Sequence, residues 1–397
     1  MRRIIMYLFN SINDEIINRI TLEIFSLDTD TSLLLKKCLE NQNSLELKDE
    51  EMFLRDAFNE VGINFDLIQL WDEHFFAPQT PIVHIIKNCN SPCVMCDCWQ
   101  TKGKVHHSAA DLKPLFEDLA LNGASSVMIS GGEPTLHPEL ETIIDDVHQT
   151  GMTVQLNTNG ILLNRKQFLY KKNIDALIVS IDGFTKQDYQ LIRGTDRFEK
   201  VCENISNFHE FSPETIIGIR VTLTKYSLEK LPLLLELCKE LNVDSVGFNP
   251  LDVFSKSFSR DMNEVRSNKL INELLPDIEF IDKTLSQLQD VNSHLYRMIL
   301  EASSTNLFSW DVTRFIQCLE YYKQIISKNK IGDSAPCNFP YFSLVVDYDG
   351  KIKPCFYAEA YSTIKDFTSK NWNVEEIVKD LKESGRCEGC RGKVFCG

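Results

Sequence analysis

Residues 81–100 read PIVHIIKNCNSPCVMCDCWQ, and this stretch decides the fold that the sequence predicts. Its first part, PIVHIIK (81–87), is mostly apolar and β-branched and predicts a buried strand. Three cysteines, Cys89, Cys93 and Cys96, follow directly in a C-x3-C-x2-C spacing. A strand that runs into closely spaced thiols indicates a metal-binding loop at the end of a sheet strand.

A strand-then-helix pattern repeats through the middle of the chain. Strands alternating with helices predict a parallel sheet with right-handed crossovers. Six such units fit either an open doubly wound sheet or a partial barrel, and in both folds the chemistry lies at the carboxyl ends of the strands. The predicted strands are 81–87, 126–130, 152–159, 176–182, 216–224 and 245–251, and the predicted helices include 111–123, 137–151 and 227–242.

Four of the predicted strands end in polar, glycine-rich or cysteine-rich loops, which would line one rim of the sheet. Besides the cysteine loop they are 130–134, 157–160 and 180–183. Three thiolates can hold three irons of a 4Fe–4S cube and leave the fourth iron open, as a catalytic site requires. A zinc ion would need a fourth ligand, for which the sequence offers Cys98, His106 or His107.

Composition and charge exclude several other classes of protein. With 43% apolar and 25% charged residues the chain is globular rather than disordered or collagen-like. Its 42 basic and 57 acidic side chains give a net charge of −15, which disfavours a nucleic-acid binder. No apolar run approaches the roughly 18–20 residues of a membrane span, and the start lacks the features of a signal peptide. The 13 cysteines, an odd number, then predict metal or iron–sulfur ligation in the cytoplasm.

Residues 80–255 resemble the radical S-adenosylmethionine (SAM) superfamily through the cysteine loop and the rim loops. The resemblance implies that Cys89, Cys93 and Cys96 bind a 4Fe–4S cluster and that SAM chelates the open iron. One-electron reduction would then cleave SAM and give a 5′-deoxyadenosyl radical that abstracts a substrate hydrogen. Met95 is a departure, because the residue before the third cysteine is commonly aromatic in this family.

The resemblance also implies which residues contact SAM. The Gly-Gly-Glu-Pro loop would accept the ammonium, since glycines let the backbone approach a ligand and a carboxylate suits a cation. The arginine of Y-x2-I-R-G would pair with the SAM carboxylate, and a Ser–Asp pair would lie near the ribose. The two asparagines are weaker candidates, because Asn-Gly pairs also make turns. The implied residues are Gly131, Gly132, Glu133, Pro134, Asn157, Asn159, Ser180, Asp182 and Arg193.

The C-terminal segment 336–397 carries five more cysteines around a predicted hairpin at Asp349 and Gly350. It resembles the SPASM and twitch extensions of radical SAM enzymes, which carry auxiliary iron–sulfur clusters. Five thiols fill one four-ligand cluster and leave one over, so the resemblance implies one auxiliary 4Fe–4S cluster, or two if the natural chain is longer. A zinc knuckle at Cys387 and Cys390 is the alternative. The implied ligands are Cys337, Cys355, Cys387, Cys390 and Cys396.

Residues 1–78 are predicted to form a separate α+β domain. RRIIMYLF (2–9) and ITLEIFSL (20–27) predict strands, and a helix over 29–40 would be capped by Asp28, Thr29 or Asp30. This order resembles the winged-helix peptide-recognition element of peptide-modifying radical SAM enzymes, and a scaffolding domain is the alternative. A second helix over 47–63 would present one apolar face, formed by Phe53, Leu54, Ala57, Phe58 and Val61.

Residues 256–335 predict a helical connector. Its apolar positions at helical spacing are assigned to the core: Leu270, Leu274, Ile278, Ile281 and Leu285. Cys202 and Cys238 lie in predicted helices, where buried and inert thiols are the default. Cys98 is the predicted catalytic residue, as a hydrogen donor to a substrate radical, and simple loop packing is the alternative.

The predicted fold is therefore α/β, with a partial (β/α)6 TIM-type barrel over 79–255. It is flanked by the α+β domain 1–78, the connector 256–335 and the cysteine-rich extension 336–397. The predicted function is a radical SAM enzyme that matures a ribosomally synthesised peptide. The alternatives are a radical SAM dehydrogenase or epimerase acting on a sugar, alcohol or nucleoside, and a non-catalytic metal-binding module. The implied partners are a precursor peptide or small-molecule substrate and a flavodoxin- or ferredoxin-type reductant, with no membrane.

Overall fold

A computed structural model describes most of the chain. The described residues are 7–10, 15–18, 24–40, 48–60, 68–70, 77–327 without 173, 256 and 258, and 339–383. The chain divides after residue 76 into two compact units, each of which is described by itself.

The first unit contains a four-stranded sheet and two helices. Its elements are β1 (Tyr7–Asn10), β2 (Glu15–Asn18), β3 (Ile24–Ser26), α1 (Thr29–Glu40), α2 (Lys48–Glu60) and β4 (Ile68–Leu70). The strand order is β3-β2-β1-β4, so β3 and β4 are the edges of the described sheet. The sequence predicted the strands at β1 and β3 but missed β2 and β4, since their short polar-flanked segments give no clear alternation.

The sequence predicts the N-terminal cap of α1 correctly and the apolar face of α2 in part. Asp28 caps α1, because its carboxylate accepts a hydrogen bond of 2.9 Å from the backbone N–H of Thr31. On α2, Leu54 and Phe58 are buried as predicted. The prediction that Phe53 belongs to the same buried face is wrong, because its side chain is 64% exposed. Helical spacing places Phe53 at the margin of the apolar face. Val61 lies outside the described residues.

The second unit begins with a run of parallel strands. They are β5 (Ile82–Ile86), β6 (Ser126–Gly131), β7 (Thr153–Thr158), β8 (Ala176–Ser180), β9 (Ile216–Leu223) and β10 (Ser245–Pro250). These strands lie side by side in chain order. Every right-handed crossover therefore steps in the same direction and places its helix on the same face of the sheet. The result is a partial barrel, and the doubly wound alternative, in which the strand order reverses, is excluded.

The crossover helices follow the predicted pattern with one exception. They are α3 (Ala109–Leu121), α4 (Leu140–Gln149), α5 (Lys186–Arg193), α6 (Phe198–Phe211), α7 (Lys225–Leu228) and α8 (Leu231–Glu240). The single helix predicted over 227–242 is two helices, because Pro232 starts a new helix in the first turn of α8.

The two faces of the barrel strands differ in polarity. On β9, Ile217, Ile219 and Val221 are at most 1% exposed and lie on the helix side. The sequence predicted strands that are apolar on both faces, but alternation places polar side chains on the concave face of several strands. These concave positions include His84, Ser130, Gln155, Asn157, Ser180 and Arg220.

Four helices form the connector. They are α9 (Glu264–Leu274), α10 (Ile278–Gln289), α11 (His294–Ser304) and α12 (Val312–Ile326), so the helical prediction for this segment is confirmed. Leu270, Leu274 and Ile281 are buried. Ile278 is wrong as a core position, since it opens α10 and is 38% exposed, and Leu285 is half-buried.

The C-terminal hairpin extends the barrel sheet. Its elements are α13 (Phe339–Phe342), β11 (Val345–Val346), β12 (Lys351–Lys353), β13 (Ser362–Thr363) and α14 (Val374–Glu383). The hairpin predicted at Asp349 and Gly350 is confirmed, with Val345 opposite Lys353 and a left-handed φ of 80° at Gly350. β11 also pairs in parallel with β5, which places the hairpin beside the first barrel strand. No helix in the described ranges is long and apolar enough to cross a membrane.

Tyr322 joins the connector to the carboxyl ends of two barrel strands. Its hydroxyl accepts a hydrogen bond of 2.6 Å from the backbone N–H of Leu251 and donates one of 2.7 Å to the carbonyl of Leu223. The side chain is fully buried. Helix α12 is therefore fixed to the sheet at the carboxyl ends of these strands.

Tyr322→Phe should lower the free energy of unfolding by about 1–3 kcal/mol, because two buried backbone groups lose their partner. Tyr226→Phe, at a half-buried tyrosine, is the matched control and should change stability by less than about 0.5 kcal/mol. Urea denaturation of both variants measures the difference. Equal stabilities of the two variants would contradict the assigned role of Tyr322.

Candidate active site

The cysteine loop follows β5 and is fastened to its neighbours by backbone bonds. The Ser91 hydroxyl donates to the carbonyl of Arg193 over 2.9 Å, and the N–H of Val94 donates to the carbonyl of Ile192 over 3.0 Å. A Cβ on Gly194 would lie only 2.3 Å from the carbonyl oxygen of Pro92. The loop is thus held against the C-terminal end of α5 at a distance that only glycine permits.

The three predicted cluster ligands are reduced thiols in different environments. Burial raises the pKa of Cys89 to about 12 and also raises the pKa of Cys93, against the opposing effect of Arg193. The pKa of Cys96 is lowered to about 7, chiefly because Cys98 donates a hydrogen bond to its sulfur. None of the three is in a disulfide. Three shielded thiols on one loop, none of them in a disulfide, fit the donor set of an iron–sulfur cluster.

The geometry gives no support to a closed zinc site. Within the described residues, no three Cys, His, Asp or Glu side chains converge on a position for one metal ion. His107 hydrogen-bonds the carbonyl of Asp347 over 2.8 Å, and His106 packs edge-on against His137. The thiolates of a 4Fe–4S cluster each bind a different iron, so they need not converge on one point.

The glycine-rich loop after β6 lies against the backbone of the cysteine loop. The N–H of Gly132 donates to the carbonyl of Ile86 over 2.7 Å, and the N–H of Glu133 donates to that of Asn88 over 2.8 Å. A Cβ on Gly132 would lie 2.2 Å from the carbonyl oxygen of Lys87. Gly131 has a φ of 141° and is similarly crowded by Ile86. Both glycines are therefore required by backbone contact alone, and Pro134 follows them, buried, at the start of a 3-10 turn.

The carboxylate of Glu133 is committed inside the fold. It is fully buried and accepts hydrogen bonds from the backbone and hydroxyl of Thr135, from the hydroxyl of Thr158 at 2.6 Å and from the N–H of Asn159 at 2.7 Å. An ammonium contact, as implied for Glu133 by the resemblance, would have to compete with these four bonds. The geometry gives the side chain another task, which is to join the loop after β6 to the end of β7.

The two asparagines of the rim have different environments. Asn159 donates to the side chain of Asn90 over 2.7 Å and lies 4.0 Å from the sulfur of Cys89, so it braces the cysteine loop. Asn157 lies within β7, two residues before Asn159, and its side-chain nitrogen is 3.1 Å from the sulfur of Met128. Its side-chain oxygen is buried without a hydrogen-bond partner in the described structure. That free oxygen on the concave face is an acceptor for a ligand.

Asp182 and Arg193 form a buried ion pair beside the cysteine loop. The Nε of Arg193 is 2.6 Å from one oxygen of Asp182, whose other oxygen accepts the N–H of Thr222 at 2.6 Å. The guanidinium also reaches to 3.8 Å from the sulfur of Cys93. Burial alone would lower the pKa of Arg193, but Asp182 and Cys93 outweigh it and raise it. Arg193 therefore lies next to the predicted cluster ligands, and the half-buried Ser180 ends the neighbouring strand.

A cavity of about 170 Å³ opens between β5, the glycine loop and the C-terminal hairpin. The sequence predicts Cys98 and Gly131 as site residues. It does not predict the other residues of the cavity wall, because they come from segments far apart in the chain. A polar residue inside an apolar strand, His84 in PIVHIIK, was the available signal. The wall includes His84, Cys98, Gly131, Asp347, Tyr348, Lys353 and Phe356.

The charges of this cavity are organised around Asp347. Its carboxylate is 2.5 Å from the Nζ of Lys353. Burial would raise the pKa of Asp347, but His84 and Lys353 hold it well below its usual range. The Nδ1 of His84 is 3.8 Å from Asp347, too far for a hydrogen bond, so this buried nitrogen has no hydrogen-bond partner in the described structure. The cavity therefore combines an ion pair with an imidazole nitrogen that makes no hydrogen bond and two aromatic walls.

Cys98 lies between the cysteine loop and the cavity. It is 2% exposed, and its sulfur is 3.7 Å from the hydroxyl of Ser259, which is 2.7 Å from the hydroxyl of Tyr348. Cys96 and burial both raise the pKa of Cys98, so its thiol keeps the hydrogen. In contrast, Cys238 is a buried helix thiol, as predicted, and Cys202 is half-buried.

Comparison with known proteins defines the class. Residues 83–238 match the sequence profile of the Radical SAM superfamily. The chain therefore carries a radical SAM domain over residues 83–238, and the cofactors of this superfamily are SAM and a 4Fe–4S cluster. The zinc-module alternative is thereby set aside.

Individual relatives share the fold at low identity. The Fe-coproporphyrin III synthase of Methanosarcina barkeri is 26% identical over 198 residues, which is 48% of each chain. A probable GTP 3′,8-cyclase of Sulfurisphaera tokodaii is 25% identical over 75% of this chain and 87% of its own. SuiB of Streptococcus suis, solved with its precursor peptide SuiA, superposes with a TM-score of 0.57 at 15% identity, over 98% of this chain and 93% of SuiB. The enzyme anSMEcpe with bound AdoMet gives 0.52 at 18% identity, over 80% and 88%.

Gly132→Ala should weaken SAM binding by about tenfold or more, since the added Cβ must push the backbone of the cysteine loop away. Gly103→Ala is the control, because its Cβ would meet nothing within 4 Å. Its left-handed φ costs about 1 kcal/mol of stability, and the substitution leaves in place its carbonyl, which accepts a hydrogen bond of 2.6 Å from the side chain of Asn88. Equilibrium binding of SAM to anaerobically reconstituted protein measures the effect, and equal affinities in both variants would refute the assigned contact.

Proposed function

We propose that this radical SAM enzyme abstracts a hydrogen atom from one side chain of a ribosomally made peptide. The observation that carries the proposal is the cavity beside Gly131 and Cys98. Its volume of about 170 Å³ is close to that of an engineered apolar cavity of about 150 Å³ that binds benzene. Such a space is large enough for one amino-acid side chain.

The residues of the rim have distinct tasks in this proposal. Cys89, Cys93 and Cys96 would hold the cluster, and the loop Gly131–Gly132 with Arg193 would hold SAM. When bound, SAM and the reduced cluster would supply the 5′-deoxyadenosyl radical. The chain itself excludes water, since Cys93, Asp182 and Glu133 are buried around the rim.

The cavity residues would orient the reacting side chain. Tyr348 and Phe356 provide apolar walls, and the free Nδ1 of His84 provides a hydrogen-bonding group at the base. Cys98 would donate its thiol hydrogen atom to a substrate carbon radical, forming the C–H bond as the S–H bond breaks. An electron from a flavodoxin- or ferredoxin-type reductant and a proton from solvent would restore the thiol.

The first unit would bind the remote part of the peptide. Leaders of this kind add a strand to an exposed sheet edge, where main-chain bonds give affinity. The sequence predicts strands in RRIIMYLF and ITLEIFSL. Among the described strands, in the order β3-β2-β1-β4, β1 has a neighbour on each side and β3 has one on a single side. The segment ITLEIFSL, which contains β3, is therefore the proposed docking strand.

An auxiliary cluster belongs to the same proposal. Of its implied ligands, Cys355 is described and half-buried, while Cys337, Cys387, Cys390 and Cys396 lie outside the described residues. The nine cysteines of the described residues are in no disulfide, which favours a reducing location, the cytoplasm.

A small-molecule substrate is the second candidate. It is favoured by the names of the sequence relatives, a GTP cyclase and a coproporphyrin synthase. Stimulation of 5′-deoxyadenosine formation by GTP or a porphyrin, and by no peptide, would establish this candidate instead.

Replacing Cys89, Cys93 and Cys96 together by Ala should remove about four irons per chain and abolish SAM cleavage. Iron analysis and visible absorption of anaerobically reconstituted protein measure the loss. Cys202→Ala, at a thiol on α6, is the control and should keep the full iron content. An unchanged iron content in the triple variant would show that the cluster lies elsewhere.

Proline substitutions test the docking strand in the full chain. Successive N–H groups of a strand point in opposite directions, so either Ile24→Pro or Phe25→Pro removes an outward N–H and leaves the bonds to β2 intact. The variant that stays folded should bind a labelled peptide encoded beside the gene at least about tenfold more weakly.

SAM cleavage without peptide should remain unchanged in that folded variant. Gln69→Pro, on the opposite edge strand β4, is the control and should keep peptide affinity. If both folded edge variants bind the peptide as the wild type does, the docking strand is wrong.

A further inference from the structure

Arg220 is a positively charged side chain on the concave face of the barrel that the site described so far does not use. It lies on β9 between Ile219 and Val221, both of which are buried on the helix side. Alternation along the strand therefore directs Arg220 to the concave side, where the rim residues of the site also lie.

The neighbours of Arg220 across the sheet are two small residues. Its register partners are Ser180 on β8 and Gly247 on β10. A Cβ on Gly247 would lie 2.4 Å from the Nη1 of Arg220, so the guanidinium extends over the glycine, in space that any side chain there would fill. A small hydroxyl, a guanidinium and a glycine therefore lie in a row on the concave face, one strand away from Asp182.

The charge of Arg220 is not neutralised by the protein. Across the described ranges, its guanidinium makes no ion pair and no hydrogen bond. Asp182, the carboxylate at the end of the adjacent strand, is already taken by Arg193 and the N–H of Thr222. Burial lowers the pKa of Arg220, with no carboxylate acting in the opposite direction.

Other arginines of this unit that are buried or partly buried show the contrast. Arg193 pairs with Asp182, Arg260 with Asp252, and Arg266 with Asp97 in a two-bond arrangement. Each of them has a carboxylate that compensates its desolvation, as buried charges ordinarily require. An interior guanidinium without such a partner, in a chain of net charge −15, is a preformed site for an anion.

We infer that Arg220 binds an anionic oxygen group of the substrate, a carboxylate or a phosphate, on the concave face of the barrel. The inference rests on the proposed function only in placing the substrate on that face. In a peptide the group would be an acidic side chain near the reacting residue, and in a nucleotide it would be a phosphate. Both present the paired oxygens that a guanidinium fork binds.

The first test is the stability of Arg220→Met, which keeps the length of the side chain and removes the charge. Removing an uncompensated interior charge should raise the melting temperature of the ligand-free protein by about 2 °C or more. Arg197→Met, at an arginine whose side chain is 60% exposed, is the control and should change it by less than about 1 °C. A lowered melting temperature of Arg220→Met would assign Arg220 a structural role and overturn the inference.

The second test uses three small probes at constant ionic strength: acetyl-glutamate amide, its neutral counterpart acetyl-glutamine amide, and inorganic phosphate. At about ten times its dissociation constant, a bound anion should raise the melting temperature of the SAM-loaded wild type by about 2 °C or more. The neutral amide should give no shift. The shift should persist in Arg197→Met and vanish in Arg220→Met. A larger shift with the glutamate derivative indicates a peptide carboxylate, and a larger shift with phosphate a nucleotide.

SAM affinity separates this inference from the proposed function. Arg220→Met should bind SAM within about twofold of the wild type, because the SAM carboxylate is assigned to Arg193. A loss of SAM affinity would make Arg220 a cofactor contact and overturn the inference. The inference is also overturned if neither anionic probe raises the melting temperature of the wild type. Wild-type protein that binds neither SAM nor iron would instead overturn the proposed function.

Discussion

The contact between two backbones, at Gly131–Gly132 and Ile86–Asn88, is the constraint on which the rest of the site depends. A Cβ at either glycine would penetrate the facing carbonyl groups. The glycines thereby join the loop that carries the thiols to the loop after the next strand, and Glu133 extends the connection to the end of β7. Three strand ends are thus fixed to one another before any ligand binds, which is the preorganisation that catalysis requires.

Buried ion pairs fix the cysteine loop from the other sides. Arg266, from the connector helix α9, binds the carboxylate of Asp97 between two cysteines. Arg193, at the end of α5, lies between Asp182 and Cys93. Removing one partner of such a pair would leave a buried, unpaired charge at a cost of several kcal/mol. The intact pair adds little net stability, so its main effect is to hold the cysteine loop in one position.

The sequence predicted what depends on neighbouring residues. The spacing of the thiols, the strand pattern, the Asp28 cap and the turn at Gly350 are local signals, and the structure contains the strands, the cap and the turn. Chain order also constrained the sheet, although only the observed pairing decided between barrel and doubly wound sheet.

What could not be predicted depends on long-range contacts. His84 and Asp347 meet only because β11 pairs with β5, and Arg220 is distinguished by a carboxylate that another arginine has taken. The exposure of Phe53 and Ile278 depends on which helix covers them, and periodicity along one helix does not report its neighbours. Glu133 shows the same limit, since a motif identifies the residue and only its partners show its task.

The parallel pairing of β11 with β5 has a consequence for synthesis on the ribosome. β5 is made early and β11 late, so one edge of the first barrel strand stays open while most of the chain emerges. Through that interval His84 is uncovered on the side where Tyr348 and Phe356 later pack, because the hairpin that carries them has not yet been synthesised. The thiols of the adjacent loop are therefore made well before the hairpin whose Tyr348 and Phe356 complete this side of the site.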